Sequence, residues 1–298
     1  MKTFSQAIKK ACLISAKPTL AIAPAHDGRL LSLLPDLCRL VSPLLIGRAE
    51  TIQDRIFELG MNPVDFKIID EKDEESAIVR AMRLIKEDRA KILMEAGMDH
   101  DLFMHEVFRT RHRRSVSTIL SHVNIIEFPL TRKCAIITDT TMNPAPGLKE
   151  KIAVLHNALS VARAIGRARP KVAALAALEY VNPSMPSTID AAVLSKMAQR
   201  GQFGDAKVEG PLDIDCAVSK DACTRKGVKS EVTGDVDIFL VPDVESGSCF
   251  VQFLSVFGNM PVTGFVVGSP APVILKSHYT NNPSAIAGVA FAGLMVRR

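Results

Sequence analysis

A chain of 298 residues is long for one small domain, and two α/β domains are the natural expectation. With 47% hydrophobic residues it has ample material for cores, which argues against disorder. A formal charge of +5 spread along the chain, with no Trp and two Tyr, argues against a nucleic-acid binder, and no run nears the roughly 20 apolar residues of a membrane span.

The N-terminal segment is interrupted by Lys9, Lys10 and Lys17, unlike a targeting or membrane segment, so a cytoplasmic protein is expected. Short apolar runs then predict buried strands at 19–23, 41–46, 91–94, 123–128, 134–138, 171–177, 236–241, 262–267 and 272–276. Between them, 74–88, 148–166 and 187–201 repeat apolar residues at three- and four-residue spacing, as amphipathic helices do. Strand then helix, repeated, predicts an α/β fold with mostly parallel sheets, in which ligands sit at loops leaving the carboxyl ends of strands. There is no glycine-rich dinucleotide or P-loop motif. Six scattered cysteines show no metal or disulfide spacing, so no metal site is expected.

Four strand-exit loops are richer in polar and turn residues than connection requires: 139–148, 178–188, 242–248 and 277–284. Ser187 is placed to cap one helix, and Asn282, followed by Pro283, to cap another. Helix N-termini of this kind attract phosphate or carboxylate. Arg109, Arg111, His112, Arg113 and Arg114 form a basic cluster, which by itself reads as a solvated helix end.

Six collinear segments carry a resemblance: "ILSHV" (119–123), "ITDTTMNPAPGL" (137–148), "VNPSMPSTIDAAVLSKMAQRGQ" (181–202), "EGPLDID" (209–215), "SEVTGDVDIFLVPDVESG" (230–247) and "PVILKS" (272–277). Together they resemble the phosphate acetyl/butyryltransferase family, and more its butyryl branch. The resemblance implies two three-layer α/β domains with mostly parallel sheets and an interdomain cleft, of isocitrate/isopropylmalate dehydrogenase-like type. Domain I would comprise 1–130 and 271–298, and an inserted domain II would comprise 131–270.

The implied reaction is reversible transfer of a short acyl group, such as butyryl or acetyl, between coenzyme A and inorganic phosphate. CoA is then a substrate, with no tightly bound cofactor, and a homodimer or larger homo-oligomer is implied. Ser277 and His278 are the implied catalytic pair. Substrate and phosphate would meet Arg113, Arg114, Ser121, His122, Asn143, Asn182, Ser187, Thr188, Asp215, Asp243, Glu245, Ser246, Asn282 and Ser284. Within "GPLDID", Gly210 would allow close backbone approach, Pro211 would stiffen a turn, Asp213 would face solvent, and Asp215 would serve the cleft or hold the loop.

Four positions depart from the family pattern. His278 stands where the acetyl branch has Arg, Ser284 where it has Asp, and Glu95 where a Lys is common; the arginine before "LSHV" is displaced to Arg114. His278 could supply a base that Arg cannot. A second reading follows from the same departures: a relative that binds acyl-CoA or another anion, as sensor or partner subunit, with weak turnover or none.

Overall fold

The computed structural model describes residues 3–97, 100–109, 119–128, 133–275 and 281–296. The chain divides into two compact units. One holds residues 4–118 and 263–298, the other residues 1–3 and 119–262.

In the first unit the strands are β1 (Thr19–Ala23), β2 (Ser42–Gly47), β3 (Lys67–Asp70) and β4 (Ile92–Glu95), joined from the far end of the chain by β10 (Val262–Val267) and β11 (Val273–Ile274). They run in the order β3-β2-β1-β4-β11-β10, parallel except for β10 against β11. Its helices are α1 (Phe4–Cys12), α2 (Gly28–Leu31), α3 (Leu34–Leu37), α4 (Ala49–Glu58), α5 (Glu74–Lys86), α6 (His100–Arg109) and α12 (Asn282–Met295). Local chemistry explains α5 well. Asp73 accepts the Ser76 N–H at 2.7 Å, acids fill the first turn and Arg83 and Lys86 the last, and Ala77, Ile78, Ala81, Met82, Leu84 and Ile85 are buried.

The second unit contains β5 (Ser121–Phe128), β6 (Lys133–Thr138), β7 (Lys171–Leu175), β8 (Lys207–Leu212) and β9 (Ile238–Leu240). Their order is β5-β6-β9-β7-β8, parallel except for β5 against β6. Its helices are α7 (Leu148–Ala164), α8 (Pro186–Gln199), α9 (Ile214–Val218), α10 (Lys220–Arg225) and α11 (Val244–Val256). The antiparallel register Asn124↔Ile137 brings the start of β5 to the same end as the carboxyl ends of β6, β9, β7 and β8. At the opposite end, Asp237 meets Lys133 at 3.1 Å and Arg167 at 3.2 Å, and Asp235 meets Lys133 at 2.6 Å and Lys171 at 2.9 Å.

Two strands, β3 and β8, have no counterpart among the predicted apolar runs. Each has one neighbour in its strand order, and their sequences "KIID" and "KVEGPL" are too polar to register as buried strands. Gly210 and Pro211 therefore lie inside β8 rather than in a turn, and Pro is tolerated because β8 pairs on one side.

Candidate functional site

Ser121 and His122 open β5, and Asp139 follows β6 directly. The Asp139 carboxylate, 2% exposed, accepts the His122 N–H at 3.1 Å, the Thr141 N–H at 3.0 Å and the Met142 N–H at 3.1 Å on one oxygen. Its other oxygen accepts from the Asn143 amide, which also donates to the Leu120 carbonyl at 2.8 Å. One buried carboxylate thus fixes both the loop leaving β6 and the strand beside it, in a network satisfied by hydrogen bonds.

His122 is held from the side. Asn124 Nδ2 donates to Thr140 Oγ1 at 2.7 Å and lies 3.3 Å from His122 Nδ1, and Thr140 Oγ1 lies 3.2 Å from the same nitrogen. With the Asn124 amide nitrogen assigned as the donor, Nδ1 is the acceptor, which leaves Nε2 to carry the ring proton. Ser121, fully buried, receives the Asn157 amide of α7 at 2.9 Å.

The start of α11 closes on this loop. Asp243 caps it by accepting the Ser246 N–H at 2.8 Å, Ser246 Oγ returns a bond to the Asp243 carboxylate at 2.8 Å, and Val244 N–H donates to the Pro144 carbonyl at 3.1 Å. Gly247 makes the approach possible: a Cβ there would lie 2.7 Å from Val241 Cγ2 and 3.0 Å from the Asp139 carbonyl oxygen. Ser121, His122, Asn143, Asp243 and Ser246 thus belong to one neighbourhood, and Glu245 is exposed in the first turn of α11.

A second polar group lies at the ends of β7 and β8. Lys226 Nζ contacts Asp213, Asp215 at 2.9 Å and Glu179 at 3.5 Å. Asp213 also caps α9, accepting the Cys216 N–H at 3.1 Å. Burial raises the Asp213 pKa, but bonds with Lys226, Asp215 and Cys216 outweigh it and hold the carboxyl at about 2. Those carboxylates in turn push the Lys226 ammonium upward. The expected exposures are exchanged: Asp213 is half-buried as the cap, and Asp215 is the exposed one. Gly210 does allow close approach, since a Cβ would lie 2.6 Å from the Ala174 carbonyl oxygen. Glu179, Asp213 and Cys216 place ligand-type atoms within 4.8 Å of one another; the Lys226 ammonium lies against both carboxylates, and burial foremost pushes the Cys216 thiol to about 12.

The loop before α8 is internally bonded. Thr188 Oγ1, fully buried, accepts the Asn182 N–H at 2.9 Å and lies 3.0 Å from the Asn182 carbonyl and 2.7 Å from that of Met185. Ser187 does not cap α8: the cap position is Met185, Pro186 opens the helix, and Ser187 is already in its first turn. Likewise Asn281, not Asn282, caps α12, its side chain accepting the Ser284 N–H at 2.9 Å, so Asn282 is the first helical residue and Ser284 is buried. Glu95 is buried at the end of β4, 3.3 Å from His100 Nδ1. Arg109 pairs with Glu106 at 2.8 Å. Ser277, His278, Arg113 and Arg114 lie outside the described residues.

Sequence reasoning missed Asp139, Thr140, Asn124 and Asn157. The available signal was an acid and two threonines placed straight after an apolar strand, with Asn124 inside the apolar run that precedes it.

A family model described as phosphate acetyl/butaryl transferase matches residues 36–292. The chain belongs to that family. It is 34% identical to the phosphate butyryltransferase of Clostridium acetobutylicum over 99% of this chain and 98% of the relative. Among solved structures it matches the branched-chain phosphotransacylase from Enterococcus faecalis V583 with a TM-score of 0.79 and 28% identity, over 94% of this chain and 99% of that one. A phosphotransacetylase from Streptococcus pyogenes superposes with a TM-score of 0.83 at 15% identity, over 98% of both chains, which bears on the fold alone.

The two-domain α/β fold is that of phosphotransacetylases, which corrects the isocitrate/isopropylmalate dehydrogenase-like arrangement expected from sequence. The physical reason is that alternating strand and helix patterns set the α/β class, whereas strand order and domain packing are tertiary properties that periodicity does not encode. The chemistry of the family is reversible acyl transfer between CoA and inorganic phosphate, and the protein is a phosphate acyltransferase. No helix among the described residues is long and apolar enough to cross a membrane.

Proposed function

We propose that the protein is a phosphate butyryltransferase-type enzyme acting on short acyl groups. The observation that carries this reading is the 34% identity to a phosphate butyryltransferase over nearly the whole of both chains. In the reaction a phosphate oxygen attacks the thioester carbonyl, a tetrahedral oxyanion forms, and its collapse breaks the C–S bond to give acyl phosphate and CoA thiolate, which takes up a proton. The reverse direction needs the thiol deprotonated. Such a site requires fixed donors for the oxyanion and groups that hold phosphate charge.

Ser277 and His278 are assigned the thiol, Ser277 by hydrogen bonding and His278 as proton carrier, and Arg113 and Arg114 the phosphate. The organised polar loop around Asp139 supports placing donors at the β6 end, with the His122 Nε2 proton among them. The same reading makes the protein a cytoplasmic homo-oligomer. Phe253 and Val256 at the end of α11, with its C-cap Phe257, support self-association, because these apolar side chains are exposed by 61%, 65% and 80%.

The test is phosphate-dependent release of CoA from acetyl-, butyryl- and isobutyryl-CoA, followed with a thiol reagent against a phosphate-free control. Release fastest with butyryl- or isobutyryl-CoA is expected, and His278→Ala should lower kcat about 10²-fold. Acetyl-CoA as the best substrate would refute the butyryl assignment. An unchanged rate and pH profile in His278→Ala would remove that residue from the mechanism.

A further inference from the structure

The strand order of the first unit reverses between β1 and β4: β2 and β3 lie to one side of β1, and β4 and β11 to the other. Open parallel sheets bind ligands at such a reversal, outside the carboxyl ends of their strands. Two imidazoles lie there. His26, after β1, has its Nε2 3.1 Å from the carbonyl oxygen of Gly97, after β4, and 3.5 Å from Glu74 of α5. A carbonyl only accepts, so Nε2 holds the His26 proton and serves to join the two strand exits. Glycine is required for that closure, because a Cβ at Gly97 would lie 2.9 Å from the same nitrogen.

His100 is arranged the other way round. It opens α6, and its Nδ1 lies 3.3 Å from the carboxylate of Glu95, the last residue of β4 and only 2% exposed. An ionised carboxylate only accepts, so the proton is on Nδ1 and the lone pair of the neutral ring is on Nε2. Nε2 has no hydrogen-bond partner among the described residues, and the side chain is 48% exposed. A buried acid that fixes the tautomer of a half-exposed imidazole, and leaves its outer nitrogen able to take a proton, is the geometry of a general base with its orienting group. The place in the sheet fits that role. Ala23 of β1 and Glu95 of β4 are register partners, so those strands end together, and β11 runs parallel to β4 with Ile274 opposite Met94. In sequence, β11 is followed by Ser277 and His278, to which the acyl-transfer reading gives the thiol.

We propose that His100 is a further catalytic residue of the acyl transfer, exchanging the thiol proton at Nε2, and that Glu95 is its positioning residue. In the direction that consumes acyl phosphate, the S–H bond of CoA breaks as Nε2 takes the proton, the thiolate sulfur attacks the acyl carbonyl, and the C–O bond to phosphate breaks as phosphate leaves with its electron pair. In the other direction Nε2 returns the proton to the departing thiolate. The Glu95 carboxylate stabilises the imidazolium formed between the two. His100 is thereby a second carrier of the thiol proton beside His278, and the proposal rests on the acyl-transfer reading for its substrate.

Two measurements on the full chain test it. The first follows alkylation of CoA by iodoacetamide in the presence of the protein, read as the mass of the CoA adduct. The parent chain should give a rate at least about tenfold above that of His100→Ala, because the thiolate is the nucleophile and His100 raises its share. The second compares phosphate-dependent acyl transfer. His100→Ala should lower kcat about 10²-fold with the KM for CoA little changed, and Glu95→Gln, which keeps an acceptor for Nδ1–H but loses the negative charge, should lower it about tenfold. Because the His100 side chain is half-exposed, its variant should melt with the parent chain, so the test stands even where Glu95→Gln fails to fold. Equal alkylation with the parent chain and with His100→Ala would overturn the proposal. So would a Glu95→Gln loss that persists in full on the His100→Ala background, since Glu95 would then not act through the imidazole. The two readings fail separately. Phosphate-dependent CoA release that ignores His100→Ala refutes the His100 assignment alone, and His100-dependent alkylation in a chain that releases no CoA with phosphate refutes the acyl-transfer reading alone.

Discussion

Two polar clusters at strand ends in residues 119–262 are held by different forces. Around Asp139, one buried carboxylate is satisfied by backbone N–H groups and a side-chain amide, and the histidine beside it is fixed by an amide and a hydroxyl. Around Lys226, charge answers charge: an ammonium contacts three carboxylates, on side chains 18%, 19% and 53% exposed. The first arrangement fixes its loop and strand through uncharged donors that converge on one carboxylate. The second sets one ammonium against three carboxylates and clasps the segments bearing Glu179, Asp213 and Asp215 together. A motif rich in aspartate therefore builds the clasp, and a single aspartate outside that motif organises the loop.

The largest effect should come from breaking the first cluster at its centre. Asp139→Ala removes the acceptor of several buried or half-buried N–H groups at once, leaving them unsatisfied. A loss of about 3 kcal/mol or more in unfolding free energy is expected from denaturant titration, together with loss of acyl transfer. A loss under about 1 kcal/mol would show that water or another group replaces the carboxylate.

Steric closeness in the second cluster should rank next. Gly210→Ala puts a methyl 2.6 Å from the Ala174 carbonyl oxygen and 3.0 Å from Ala191 Cβ, so β8 must move away from β7 and α8. About 1–3 kcal/mol of destabilisation is expected by thermal or denaturant unfolding. A neutral outcome would mean that β8, which pairs on one side only, shifts without cost.

Smaller still should be the effect of uncoupling the histidine. Thr140→Val keeps the shape but removes the hydroxyl between Asn124 and His122 Nδ1. About 1 kcal/mol of stability is expected to go. If ring orientation matters to the chemistry, kcat should fall about tenfold with KM little changed. An unchanged kcat would make this network structural only.

Which of these features the sequence revealed follows from what each depends on. Buried central strands such as β1, β6 and β10 depend on apolar runs and are legible directly. The edge strands β3 and β8 depend on a neighbour on one side and carry polar residues, so they are not. Helix caps depend on one residue of register. Asn281 and Asn282 are chemically identical caps in sequence, and only the backbone, extended at Asn281, decides between them. Asp213 and Asp215 are ambiguous in the same way until α9 starts at Ile214 and makes Asp213 its cap. Asp139 was hidden for a different reason, because its partners come from β5 and from its own loop, a juxtaposition set by the antiparallel pairing of β5 with β6.

The mildest perturbation separates the clusters by acid. Asp213 titrates near 2 in the folded chain, below the roughly 3.9 of an unfolded aspartate, so its contribution is present above about pH 4 and is lost as pH falls toward 2. Asp235, at the other end of the strands, is lowered to about 2 by Lys133 and then Lys171, and follows the same sign. In Lys226→Met the Asp213 bond to the ammonium is gone and its pKa should rise toward the unfolded value. The drop in melting temperature between pH 5 and pH 3 should then be shallower than in the parent chain, while the Asp235 contribution persists. Added salt should mimic the substitution in part, because the clasp is partly solvent-exposed and ions screen it. An acid limb unchanged by Lys226→Met would mean that the hydrogen bond from the Cys216 N–H, rather than the ammonium, sets the Asp213 carboxylate, and the clasp would then be held by the α9 cap.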